Sequence, residues 1–144
     1  MPLNPQEDRQ RIESWLLAFH ASSKTLDADQ WVEGFFTDDV TLQFANNPVI
    51  SRDDLRPMFK NVFANLDMMT HDIEYFDYVP PRIYQAATVR YLVKGDDPEK
   101  GIIQIPGFSS LSVREGNDGK LLCYHAEIFL DASPVFQRIA EKAV

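Results

Sequence analysis

From Met68 to Asp131 the hydrophobic pattern alternates residue by residue, in successive stretches separated by turn signals. This feature constrains the fold most. A two-residue period specifies strands with one apolar face, and consecutive strands joined by short connections pair as neighbours in one sheet. In the first stretch, Thr70 to Val79, His71, Ile73, Tyr75 and Val79 share a face, and Pro80-Pro81 closes it. Tyr84 to Lys94 follows, with Ala87, Val89, Tyr91 and Val93 on one face, and then a polar loop from Gly95 to Gly101. Ile102 to Arg114 is a further strand in which Pro106-Gly107 predicts a bulge or bend, because proline cannot donate to a ladder. Asn117-Asp118-Gly119 supplies a tight turn. In the last strand Leu122, Tyr124, Ala126, Ile128 and Leu130 alternate with Cys123, His125, Glu127 and Asp131. Ser133-Pro134 then starts a short helix through Val135, Phe136, Ile139 and Ala140, so a strand ending in a carboxylate with a covering helix marks a candidate site.

The first half has a different period. Ile12, Trp15, Leu16 and Phe19 recur at spacings of three and four, predicting a helix from Pro5 to about Ser23 that starts at Asn4-Pro5. Asp27 is the N-cap expected for a second helix through Trp31, Val32, Phe35 and Phe36, which Thr37-Asp38-Asp39 ends. Val40, Leu42 and Phe44 form a short strand, with Val49-Ile50 as a small partner. Ser51 with Asp54 opens a third helix through Leu55, Met58, Phe59, Val62 and Phe63, and Pro57 threatens its first turns. Helices followed by long consecutive strands give an α+β order, with the helices on one face of the sheet.

The length of 144 residues fits one domain, 1–144, with a single sizeable core. A net charge of −8 opposes phosphate-mediated nucleic-acid binding and docking on anionic membranes. Cys123 is the sole cysteine, so no internal disulfide and no Cys-rich metal site can form. Met1–Asp8 lacks a basic start and an apolar core of signal-peptide length, and no stretch approaches a membrane span. These features predict an intracellular, cytoplasmic protein.

Over almost its whole length the chain resembles the SnoaL-like branch of the nuclear transport factor 2-like superfamily. The likeness rests on Phe35-Phe36-Thr37-Asp38-Asp39-Val40-Thr41-Leu42, Thr70-His71-Asp72-Ile73, and Asp118-Gly119-Lys120-Leu121 through Asp131. The resemblance implies a cone: a curved antiparallel sheet wrapped around N-terminal helices (the cystatin-like architecture), an apolar cavity and frequent homodimers. It also directs the site reading. Where the steroid isomerases of this fold carry their Tyr and two Asp, this chain has Trp15, Phe44 and Ser109; where the epoxide hydrolases need Asp two residues after Arg, Leu92 stands two residues after Arg90. Asp131 resembles the acid/base Asp of the polyketide cyclases. His71 resembles a histidine of the scytalone dehydratase-like members, which work with histidines, tyrosines and a bound water.

The resemblance thus implies a cofactor-independent small-molecule enzyme of cyclase, isomerase or dehydratase type, with secondary metabolism as its setting. The alternative is a non-catalytic ligand-binding or dimerising module. Asp131 and His71 are the candidate catalytic pair, because an apolar cavity raises a carboxyl pKa and a histidine exchanges protons near neutral pH. Against this, Asp131-Ala132-Ser133-Pro134 also reads as a helix cap, and His71 as a strand-edge hydrogen-bonding group. Trp15, Phe19, Trp31, Tyr75, Tyr91 and Tyr124 are candidates to line a cavity for a small apolar or polycyclic ligand, or else to fill a core. Cys123 reads as a packed apolar residue rather than a thiol activated by His125. His125 and Glu127 share a strand face but offer no metal-ligand spacing, so no metal or cofactor is expected. The sheet face left bare by the helices, carrying Tyr84, Leu92, Leu111 or their neighbours and Phe129, predicts a homodimer.

Overall fold

The structure, a computed structural model, describes residues 5–143; Met1–Asn4, with the Asn4 start signal, lie outside the described residues. Their chain order is α1 (Pro5–Lys24), α2 (Ala28–Phe35), β1 (Phe36–Phe44), β2 (Ile50–Ser51), α3 (Arg52–Ala64), β3 (Leu66–Val79), β4 (Arg82–Val93), β5 (Ile103–Glu115), β6 (Leu121–Phe129) and α4 (Ser133–Lys142). Local chemistry sets several of these boundaries. Asp27 Oδ1 accepts the Gln30 N–H at 3.1 Å, the N-cap that opens α2. The β5–β6 turn is held by Gly116 N–H to Lys120 O at 2.8 Å, with Gly119 at φ +80°, a conformation that favours glycine. α3 begins at Arg52 as its sequence suggests, but the Ser51 hydroxyl makes no capping bond. Phe36 to Asp39 are extended, so β1 starts four residues before the expected Val40 and α2 ends at Phe35.

The six strands form one curved, open sheet in the order β2-β1-β6-β5-β4-β3. Every pairing is antiparallel except β1 with β6, which is parallel. This is the α+β frame expected, with one parallel junction added. The helices cover the concave face, where Leu16, Val32, Leu55, Ile83, Val89 and Leu111 are almost wholly buried. Trp31 is the centre of the helical layer, edge-on to Phe36 at 4.9 Å and to Phe59 at 4.9 Å. Each such aromatic pair contributes about 1 kcal/mol beyond area burial. α4 buries Val135, and Arg138 and Lys142 tie it to Asp96 of the β4–β5 loop at 2.8 and 2.7 Å. Arg138 first and Lys142 second hold the Asp96 carboxyl far below the usual range. No helix among the described residues is long and apolar enough to cross a membrane.

Two bulges re-aim the faces that strict alternation predicts. In β3 the register with β4 shifts between Ile73 and Tyr75. Phe76 thereby turns inward, whereas Tyr75 and Val79, expected beside His71, are 60% and 61% exposed. In β6 the shift opposite Ser112/Val113 leaves Tyr124 as the extra residue. Cys123 and Ala126 therefore both face the core, and Leu122 and Tyr124 leave it. Pro106, by contrast, causes no bulge: Thr88 pairs with Pro106 in unbroken register. β6 stops at Phe129 opposite Phe108, so no strand lies beside Pro106 on that side to want its missing N–H. Leu111, expected on the bare face, is buried on the concave one, and Leu92 is buried with Gly101 of the β4–β5 loop against it.

Candidate active site

The helical spacing of α1 places Ile12, Leu16, His20 and Ser23 on one buried line, each three or four residues from the last. His20 therefore points at the sheet, 8% exposed, and its ring stacks on that of His71 from β3 at a centroid distance of 4.3 Å and an interplanar angle of 17°. On the sheet side, Gln85 of β4 lies directly opposite Ser109 of β5. Gln85 Nε2 donates to Ser109 Oγ at 3.0 Å, which leaves Gln85 Oε1 to accept from His20 Nε2–H at 3.0 Å. The His20 tautomer follows: Nε2 carries the hydrogen, and Nδ1 presents a lone pair. That Nδ1, and the Nδ1 of His71, are buried with no hydrogen-bond partner among the described residues.

This pair forms one end of a cavity of about 90 Å³ on the concave face. Phe19, Trp31, Met69, Val89, Leu111 and Ile128 supply much of its apolar wall, and Gln85, Ser109 and Tyr91 its remaining polar groups. Among the described residues no Asp, Glu, Lys or Arg lines it. The electrostatics follow from that composition. Burial first, and the neighbouring His20 second, push His71 down to about 3, and burial lowers His20 against the weaker opposing effect of its Gln85 bond. Burial pushes the Tyr91 phenol up to about 12. At neutral pH the site thus holds two uncharged imidazoles and an un-ionised phenol. The size matters too: it is smaller than an apolar cavity of about 150 Å³ that takes up benzene.

Of the sequence candidates, the structure brings together His71, Phe19, Trp31 and Tyr91. Trp15 lies behind Phe19, stacked at 4.9 Å, with its Nε1–H donated to Leu121 O at 2.8 Å, and serves the core. Tyr75 stands on an outer groove, and Tyr124 lies outside the cavity beneath the Arg114 guanidinium, 5.1 Å from the ring centre. The expectation that Asp131 enters the apolar cavity is corrected. It is exposed, and its Oδ1 accepts the Ser133 N–H at 3.0 Å as the chain turns into α4; Ser133 holds its carboxyl below the usual range. Cys123 is fully buried and its thiol is pushed up to about 12 by burial, which removes it as a nucleophile. His125 is on the convex face, with Nδ1 2.7 Å from Thr41 Oγ1 and Nε2 3.4 Å from Glu127 Oε1.

Three residues of the site escaped the sequence reading: His20, Gln85 and the structural part of Ser109. Two had signals. Extending the Ile12–Leu16 spacing by four residues reaches His20, and extending the Val89–Ala87 alternation back by two reaches Gln85. Ser109 follows only from cross-strand register, which sequence period does not supply.

No protein-family profile matches the chain, and no curated protein matches it by sequence. Solved structures do. ActVI-ORFA from Streptomyces coelicolor aligns with a TM-score of 0.71 at 14% identity, over 85% of this chain and 97% of that one. A candidate aromatic ring hydroxylase from Novosphingobium aromaticivorans aligns at 0.68 and 22% identity, over 90% and 95%. A candidate SnoaL-like polyketide cyclase from Jannaschia sp. CCS1 aligns at 0.66 and 17%, over 91% and 92%. Ketosteroid isomerase-like and scytalone dehydratase-like structures are further neighbours, and the chain has the nuclear transport factor 2-like fold.

Proposed function

We propose that this chain is a cofactor-independent enzyme of isomerase, cyclase or dehydratase type that relocates a proton on a small, acidified, carbonyl-bearing substrate. The observation that carries this reading is the stacked His20–His71 pair at the wall of an apolar cavity, each ring with an uncommitted buried nitrogen. His71 is the acid/base group, His20 its partner, and Gln85 with Ser109 position His20. Tyr91, un-ionised, donates its phenol hydrogen to a substrate oxygen. A neutral imidazole in a dry site accepts a proton only when the anion it leaves stays beside it as an ion pair. Removing hydrogen from an unactivated carbon is beyond such a base, whereas an enolisable carbon between two carbonyls, or a hydroxyl on an unsaturated ring, is within its reach. The proton taken by His71 returns to another atom of the same substrate, or leaves with a hydroxyl group as water. The non-catalytic alternative has the same cavity; the free imidazole nitrogens favour chemistry over simple retention.

As its quaternary form we propose a homodimer through the convex face. Phe129, 50% exposed, and Phe108 directly opposite it across β5 and β6, 40% exposed and also at the rim of the cavity lining, offer a self-complementary apolar patch.

The test needs no knowledge of the natural product. Deuterium uptake from D2O into single-ring 1,3-dicarbonyl compounds, followed by NMR, should be catalysed by the wild-type protein and slowed at least about a hundredfold in His71→Ala, the ordinary contribution of a general acid/base group. Asp131→Asn should match wild type within about twofold, as befits a surface turn residue. Undiminished exchange in a folded His71→Ala protein overturns the assignment.

A further inference from the structure

His20 and His71 border more than the cavity. Outside them, between α1 and the edge strand β3, lies an open groove of about 810 Å³, and these two residues are the ones common to both spaces. The wall is two imidazole rings, and the two are held differently. His20 is fixed by its bond to Gln85, whereas the His71 ring makes no hydrogen bond to any described residue and is held by the stack alone. His71 is therefore the less constrained ring of the two.

The groove has its own chemistry. Leu17 and Tyr75, 57% and 60% exposed, present apolar surface to it. Three of its five charged side chains have partners: Arg9 donates to Phe76 O and lies over the Phe76 ring within the groove, Asp72 pairs with Arg90, and Glu74 accepts from Thr88. Glu13 and Lys24, of opposite sign, stand among the remaining lining residues. An uncharged apolar chain suits such a surface. The buried lone pair of His20 Nδ1 calls for a hydrogen-bond donor.

Resting on the reading of the cavity as the substrate site, we propose that the substrate is a single hydroxylated ring carrying an alkyl side chain. The ring occupies the cavity with its hydroxyl at the histidine pair, and the chain passes His71 to lie in the α1–β3 groove against Leu17 and Tyr75. His71 is then both the acid/base group and the residue that admits substrate. Leu17 and Tyr75 select for chain length.

Phenol and 2-hexylphenol, whose chain leaves the ring beside the hydroxyl, are the probes, titrated calorimetrically, with the imidazole signals of His20 and His71 followed by NMR. Wild type should bind 2-hexylphenol at least about tenfold more tightly than phenol, since burying alkyl groups strengthens binding. Leu17→Glu, at an exposed helical position that tolerates glutamate, should abolish that ratio and leave phenol affinity within about twofold. Leu130→Trp, at the far end of the cavity, should leave the ratio intact. If the ratio survives Leu17→Glu, or is lost in Leu130→Trp instead, the chain runs the other way: the groove proposal fails and the cavity reading stands. If phenol moves neither histidine signal, the cavity is not the site and both readings fail.

Discussion

The two faces of the same sheet treat histidine in opposite ways. On the concave face His20 and His71 are stacked, desolvated and without a charged partner in the cavity. On the convex face His125 is half-buried, with a hydroxyl on one nitrogen and a carboxylate near the other. Burial without a counter-charge holds an imidazole neutral and keeps a nitrogen free for a ligand, whereas a ring with satisfied nitrogens beside solvent is a structural group. Environment, not residue type, separates a candidate reactive pair from a surface hydrogen-bonding network.

The largest expected difference concerns hydrogen bonding. Gln85→Leu leaves His20 Nε2–H and Ser109 Oγ without their mutual bridge in a buried site, which should cost about 3 kcal/mol in denaturant unfolding. Thr41→Val removes the analogous partner of His125 where water can replace it, and should cost less than about 1 kcal/mol. Equal costs would erase the contrast between the faces.

Next comes pH. His71 has a folded value of about 3 against 6.5 for the ordinary side chain. Between these values the unfolded chain binds more protons than the folded one, so stability is full above 6.5 and falls as pH drops toward 3. Between pH 6.5 and 5, above the range where carboxylates titrate, His71 should withdraw about 2 kcal/mol. His20, lowered in the same direction, adds to the slope. The other titratable groups around the pair are Tyr91 inside and Arg9, Glu13, Lys24, Asp72, Glu74 and Tyr75 around the groove. His71→Phe should flatten this limb; an unchanged limb in that variant would show that the acid sensitivity lies elsewhere.

The smallest effect on the fold, and a decisive one for assembly, is expected from Phe129→Glu. A surface change of this kind shifts monomer stability by about 0.5 kcal/mol or less. It should nonetheless convert the proposed dimer to monomer in sedimentation at micromolar concentration. A wild-type species of 16.5 kDa, independent of concentration, would sink the dimer.

By itself the sequence determined the order of elements, the cap at Asp27, the glycine turn at Gly119 and a sheet with a helical layer on one side. Each is local: a side chain answering its own backbone, or a period read over ten residues. It also picked Phe19, Trp31 and Tyr91, aromatics on apolar faces of a helix or strand, as cavity or core residues, and His71 through its likeness to a histidine of the scytalone dehydratase-like members. Tertiary structure alone decided which residues meet. The bulges at Glu74 and Tyr124 each add one residue to a period of two, so Tyr75 and Tyr124 left the face that alternation gave them. The partnership of His20 with His71 spans two elements far apart in the chain, and no local pattern encodes it. Asp131 had two local readings, cap and cavity acid. Where the strand ended and the chain turned outward decided between them, because a carboxylate finds a backbone N–H and water at lower cost than a dry pocket.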